Sequence, residues 1–193
     1  IHRGPDGSGV WVKGEIGLGH RRLAILDLSE AGRNPMAYGG KDGERYWITY
    51  NGEVYNFLEL KAELVTQGYR FQTETDTEVV VAAYSCWGRD CLLRFNGMWA
   101  FAIWDTVERT LFVARDRFGI KPLYYLTLGS RFAFASELKA FLSLRGFTPS
   151  LNSDIAPLVI QHSYSYEGLT DQTLMQSLRR LPGGHSLCRP LCK

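Results

Sequence analysis

The order of elements in this sequence predicts an α+β fold in which sheets are covered by helices. Three observations carry that expectation. The first third is a series of short strands, the middle holds two stretches with helical apolar spacing, and four more strand candidates precede a last helix start. At 193 residues and 45% hydrophobic content the chain can build one sizeable core, and its length argues for one domain rather than two.

Residues 10–12, 16–18 and 23–28 read as a meander divided at Gly14 and Gly19. A stronger strand follows over 45–50, where Tyr46-Trp47-Ile48-Thr49-Tyr50 is aromatic and β-branched, and it is expected to stop at Asn51-Gly52. Phe57, Leu60, Leu64 and Val65 recur at helical spacing up to a stop at Gly68. Thr75 and Glu78 have the spacing of a capping box, which starts a second helix burying Val79, Val80, Ala83 and Tyr84 and ending at Gly88. Strands are expected over 99–104, 111–114, 123–128 and 131–135, with turns at Asp105, Gly119 and Gly129. Ser136 is placed to cap a helix running to about Leu144, and residues 148–154 read as a connection. Residues 186–193 show no clear period and read as the edge of a longer chain.

The charge balance removes several function classes. Lys and Arg total 22 against 20 Asp and Glu, a net charge of +2 with the basic residues scattered, so neither nucleic acid nor a membrane surface is an expected partner. No apolar window has the length of a membrane helix, and a cytoplasmic protein is expected. Cys86, Cys91, Cys188 and Cys192 are too few for a disulfide framework. Cys86 and Cys91 flank a helix end and read as core residues. Cys188 and Cys192 lack a second pair at zinc spacing, and His185 does not complete the set, so no metal site is expected.

Local sequence alone leaves the polar residues with two readings each. Asn51-Gly52 is also a tight-hairpin signal. Arg22 follows Arg21 and can be a surface cation, while Asp76 in the first turn of a helix is favoured by the helix dipole. Arg115, Asp116, Arg117 and Lys121, around a Gly-Ile-Lys-Pro turn, read as a solvated or salt-bridged loop.

Taken together, RGPDGSG (3–9), LGHRRLAILDLS (18–29), YNGEVYN (50–56), TDTEV (75–79), FNGMWAFAIWD (95–105), RDRFGIKPLYY (115–125) and FASELKA (134–140) resemble the glutaminase domain of glutamine-dependent asparagine synthetases. The resemblance runs from the first residue to about His185. It implies a class II glutamine amidotransferase with the N-terminal-nucleophile hydrolase fold, a four-layer α/β/β/α sandwich. It also implies a division into a glutamine amidotransferase domain over residues 1–150 and, over 151–193, the connection to a synthetase domain that would use ATP and Mg²⁺ to activate aspartate for amidation.

The same resemblance implies roles. Asn51, through its side-chain amide, and Gly52, through its backbone N–H, match the oxyanion-hole donors; Arg22 matches the residue that holds the α-carboxylate of L-glutamine. Asp76 matches the acceptor of its α-ammonium group, with Glu53 completing the lining. The loop at 115–122 would contribute to the pocket rim and the synthetase contact. In the family the nucleophile is a cysteine at the mature N-terminus whose own amine is the base. Position 1 here is Ile, so the chain is expected to be a fragment without that cysteine, with no cofactor of its own and inactive alone. A homodimer is left open, as are a noncatalytic structural role for the same fold and a different acceptor for the ammonia.

Overall fold

A computed structural model describes residues 4–23, 32–39, 44–162 and 170–191. The chain divides into two compact units, Ile1–Ala114 with Ser186–Lys193, and Arg115–His185.

The first unit opens with a hairpin of β1 (Gly7–Lys13) and β2 (Ile16–Arg22), paired from Gly7↔Arg22 to Lys13↔Ile16. Gly19 therefore lies inside β2 and does not divide two strands, because its partner Val10 continues the ladder. Of the strand expected over 23–28, Leu23 lies outside any strand and 24–28 fall outside the described residues. A five-stranded sheet follows with the order β10-β6-β5-β4-β3, made from β3 (Met36–Tyr38), β4 (Tyr46–Val54), β5 (Gly97–Asp105), β6 (Thr110–Arg115) and β10 (Ser186–Pro190).

β4 does not stop at Asn51-Gly52. It runs on to Val54, with Asn51↔Ala100, Gly52↔Trp99 and Glu53↔Met98 continuing its antiparallel pairing with β5. The turn signal is overridden because Gly52 lets the two strands close: a Cβ there would meet the Met98 carbonyl and would lie 2.7 Å from Trp99 Cα.

Two helices cover one face of the sheet. α1 (Phe57–Thr66) buries Leu60 and Leu64, and Gly68 ends it at φ +89°. Asn56 fixes its entry, since its Oδ1 accepts from Asn96 N at 2.9 Å and its Nδ2 donates to Arg94 O at 2.9 Å. α2 (Asp76–Trp87) is buried along its first eight residues, the pattern of a helix enclosed by core rather than lying on a surface. Only half of the capping box forms. Thr75 Oγ1 accepts from Glu78 N at 3.3 Å, while the Glu78 carboxylate turns to the preceding loop and accepts from Gln72 N, from Thr73 N at 2.7 Å and from Thr73 Oγ1.

Alternation along β4 assigns its faces. Tyr46, Ile48, Tyr50 and Val54 join the core beneath the helices with Leu60, Leu64, Val79, Val80 and Ala83. Trp47 points the other way and stacks on Trp11 of β1, with ring centroids 4.5 Å apart. Thr49 shares that face and donates to Gly19 O at 3.3 Å, so the hairpin packs on the side opposite the helices.

In the second unit β7 (Tyr124–Leu128) lies between β8 (Arg131–Ala135) and the two-residue β9 (Arg179–Arg180). Leu126, Phe141 and Leu178 form its buried cluster. The helix expected from Ser136 is a 3₁₀ segment, Leu138–Ser143, entered through Glu137 without a side-chain cap. A short α3 (Ala156–His162) and strands β9 and β10 had no sequence expectation. Ser186–Pro190, expected to lack a period, pairs with β6 from Ser186↔Ala114 to Pro190↔Thr110. Its Pro190 is tolerated because the strand lies at the sheet edge. No helix among the described residues is long and apolar enough to cross a membrane.

Candidate functional site

Asp76 is the first residue of α2 and is only 5% exposed. Its Oδ2 accepts from Tyr50 Oη at 2.6 Å and from Val54 N at 2.9 Å, so a helix start is pinned to two points of β4 that bracket Asn51-Gly52-Glu53. Among the described residues no hydrogen bond of standard geometry ends on Oδ1. Burial pushes the carboxyl above its ordinary pKa, and the Tyr50 hydroxyl, the Val54 N–H and the N–H groups at the helix start pull it partly back. Tyr50 is held neutral, its pKa raised well above the usual value first by burial and then by the Asp76 charge.

Arg22, the last residue of β2, comes to the same helix start. A Cβ placed on Gly32 would lie 2.5 Å from an Arg22 guanidinium nitrogen and 3.0 Å from Thr75 Cγ2. The guanidinium thus packs beside the N-cap of α2 in space that any side chain at position 32 would fill. A cation and an anion of opposite function, separated by 54 positions, converge on one end of one helix.

Asn51 and Glu53 leave β4 on the other face, with Thr49 and Trp47, as strand alternation requires. Among the described residues the Asn51 side-chain amide makes no hydrogen bond, which leaves a neutral donor uncommitted. Asp76 is therefore tied to the backbone of β4, and Arg22 packs beside the N-cap of the same helix. The Asn51 and Glu53 side chains border the same strand segment from its opposite side.

His20 is a further titratable residue on the same strand as Arg22. It lies two residues before Arg22 on β2, with Nδ1 3.4 Å from Thr49 Oγ1. Burial first, and the Arg22 charge second, push its pKa down to about 4, so the ring is neutral at physiological pH.

Residues 115–122 are solvated only in part, at Arg117, Phe118 and Ile120. Arg115 and Asp116 are buried. The Arg115 guanidinium donates to the carbonyls of Lys121 at 2.6 Å, Leu181 at 2.7 Å and Gly119. Asp116 accepts from the N–H groups of Phe118, Ile120 and Lys121 at 2.9 to 3.1 Å. Arg115 and Asp116 thus serve backbone groups, while Phe118 is 86% exposed.

None of the described cysteines is bonded to this constellation. Cys91 is buried in the core and its thiol pKa is raised to about 12 by burial, Cys86 packs against the same core, and Cys188 is exposed on β10. Cys192 lies outside the described residues. Among the described residues no group of three or more His, Cys, Asp or Glu side chains is placed to hold a metal ion.

The model of the glutamine amidotransferase domain family matches residues 1–190. Glutamine-hydrolysing asparagine synthetase 3 of Bacillus subtilis (strain 168) is 48% identical over 73% of this chain and 23% of its own length. Amidase chry2 of Gibberella zeae is 34% identical over 98% of this chain and 27% of its own length. Among solved structures, glutamine phosphoribosylpyrophosphate amidotransferase of B. subtilis, complexed with ADP and GMP, superposes with a TM-score of 0.64 at 25% identity, over 92% of this chain and 33% of that one. This likeness bears out the expected α+β fold of the N-terminal-nucleophile hydrolase type. The chain spans about a quarter of the length of the curated relatives it matches.

Proposed function

Because this chain belongs to the glutamine amidotransferase domain family, we propose that it is the glutamine-hydrolysing part of an asparagine synthetase, releasing ammonia from L-glutamine for the ATP-dependent amidation of aspartate. The observation that supports this reading is that the Arg22 guanidinium packs beside the N-cap of α2 while the Asp76 carboxylate belongs to the first residue of the same helix. A free α-amino acid carries one carboxylate and one ammonium on the same carbon, and a cation beside an anion is the complement of that pair.

In this reading Arg22 holds the α-carboxylate through its planar fork, Asp76 accepts from the α-ammonium group, and Glu53 lines the cleft. The Asn51 amide and the Gly52 N–H donate to the oxygen of the side-chain amide as it becomes an oxyanion; each such donor contributes on the order of a hundredfold in rate. The nucleophile is a cysteine outside residues 1–193, whose thiolate bonds to the amide carbon as ammonia leaves and whose thioester then yields glutamate to water. These residues alone therefore bind glutamine without turning it over. ATP and Mg²⁺ act in a synthetase domain outside this chain, in the cytoplasm. The likeness to amidase chry2 over nearly the whole chain favours one second reading, the same glutaminase serving another acceptor.

The test is glutamate release by the full-length protein, with asparagine formation measured in parallel on ATP and aspartate. Glutamate release in which Arg22→Ala and Asp76→Ala mainly raise KM supports the reading. Unchanged KM in both variants would overturn the clamp. Glutamate release without asparagine formation would select the second acceptor.

A further inference from the structure

We propose that Tyr50 is the positioning residue of the ammonium subsite: together with the Val54 N–H it fixes Oδ2 of Asp76 and thereby turns Oδ1 toward the α-ammonium group of the bound amino acid. This rests on the glutamine reading above. Three features of the geometry support it. The Tyr50 hydroxyl and the Val54 N–H reach the same oxygen, at 2.6 and 2.9 Å, from residues 26 and 22 positions away in sequence. Both donors belong to one strand, so the carboxylate plane is set by β4 rather than by the helix that carries Asp76. Tyr50 and Asp76 are each only 5% exposed, so water does not replace the hydroxyl when it is removed.

The hydroxyl also keeps a buried carboxyl ionised. The charged and titratable groups nearby are Tyr50, bonded to it, Glu53, whose charge acts on Tyr50, Arg22 beside the N-cap of α2, and Glu78, whose carboxylate turns to the preceding loop. Burial favours the neutral acid; the Tyr50 hydrogen bond favours the carboxylate. Without that bond Asp76 holds its proton to higher pH, and a protonated Asp76 no longer attracts an ammonium group. Tyr50 touches neither the reacting amide nor the nucleophile, so its effect is on binding and its pH dependence, not on the chemical step.

The experiment compares wild type, Tyr50→Phe, Asp76→Asn and the double variant in the full-length protein, with glutamine and with its analogue lacking the α-amino group, 4-carbamoylbutanoate. Tyr50→Phe is expected to raise KM for glutamine about tenfold, the loss of one hydrogen bond to a charged group. Its kcat stays within about twofold and its KM for the des-amino analogue does not change. The acid limb of kcat/KM for glutamine moves to higher pH. In the Asp76→Asn background the same change has no further effect. Glutamine and analogue KM values that rise together, or an unchanged acid limb, would overturn the role of Tyr50 while leaving the glutamine reading standing. A wild-type protein that releases no glutamate would remove both.

Discussion

Two of the aspartates buried among the described residues, Asp76 and Asp116, are used in opposite ways. Asp116 is fully buried and accepts from three N–H groups of its own loop, all within five residues of it. Asp76 is nearly as buried, but its partners come from a strand more than twenty residues away, both bonds fall on one oxygen, and a guanidinium packs at the same helix end. A carboxylate closed on its own backbone has nothing left to offer a ligand. One that is held rigidly on a single side, at a helix N-terminus, keeps an acceptor in reserve. Burial alone does not separate structure from binding; the address of the hydrogen bonds does.

The sharpest way to break this contrast is to exchange the expected losses. Asp116→Ala leaves three loop N–H groups without their acceptor and is expected to lower stability by about 4 kcal/mol, read as a fall in the denaturant midpoint. Asp76→Asn is expected to leave the midpoint within about 1 kcal/mol and to raise the glutamine KM about a hundredfold. The sign follows from its pKa: the carboxyl is harder to ionise folded than unfolded, so its charge subtracts from stability once the pH rises past the unfolded value, and Asn removes that loss. If the two variants traded these outcomes, the distinction drawn here would fail.

His20 sharpens the picture at the next level. Its folded pKa of about 4 lies below the unfolded value of 6.5, so the unfolded chain binds more protons between those values and stability is lost as the pH falls through that window. Taking the pH from 7 to 5 is expected to cost about 2 kcal/mol, a loss that His20→Gln abolishes in denaturation curves at the two pH values. The smallest effect concerns Gly32. Gly32→Ala is expected to push the Arg22 guanidinium from the helix start and raise the glutamine KM about fivefold, roughly 1 kcal/mol, with no change in the KM of an analogue lacking the α-carboxylate.

Much of this was legible beforehand, and for identifiable reasons. The Thr75-Glu78 spacing announced the start of α2, and the family motifs drew attention to Arg22 and Asp76, which the fold carries to one place. What escaped were features set by contacts between distant segments. Asn51-Gly52 carries a turn signal, and only the pairing with β5 extends β4 past it. Tyr50 reads as one more aromatic in a strand, because periodicity reports the face of a residue and not the partner of its hydroxyl. Gly32 gives no signal at all; the reason for its missing side chain is a guanidinium ten positions upstream. Arg115 and Asp116 look like surface charges because their partners are backbone groups, which every sequence contains and none displays.

The edge strand β10 carries a consequence for synthesis. Its partner β6 ends at Arg115, and everything from there to His185 must leave the ribosome before Ser186 exists to pair with Ala114. At typical elongation rates that interval is roughly 4 to 14 seconds. For that time the nascent sheet shows a bare, apolar flank of Leu111 and Val113 to the cellular milieu, the stretch of its life in which a chaperone has most to protect.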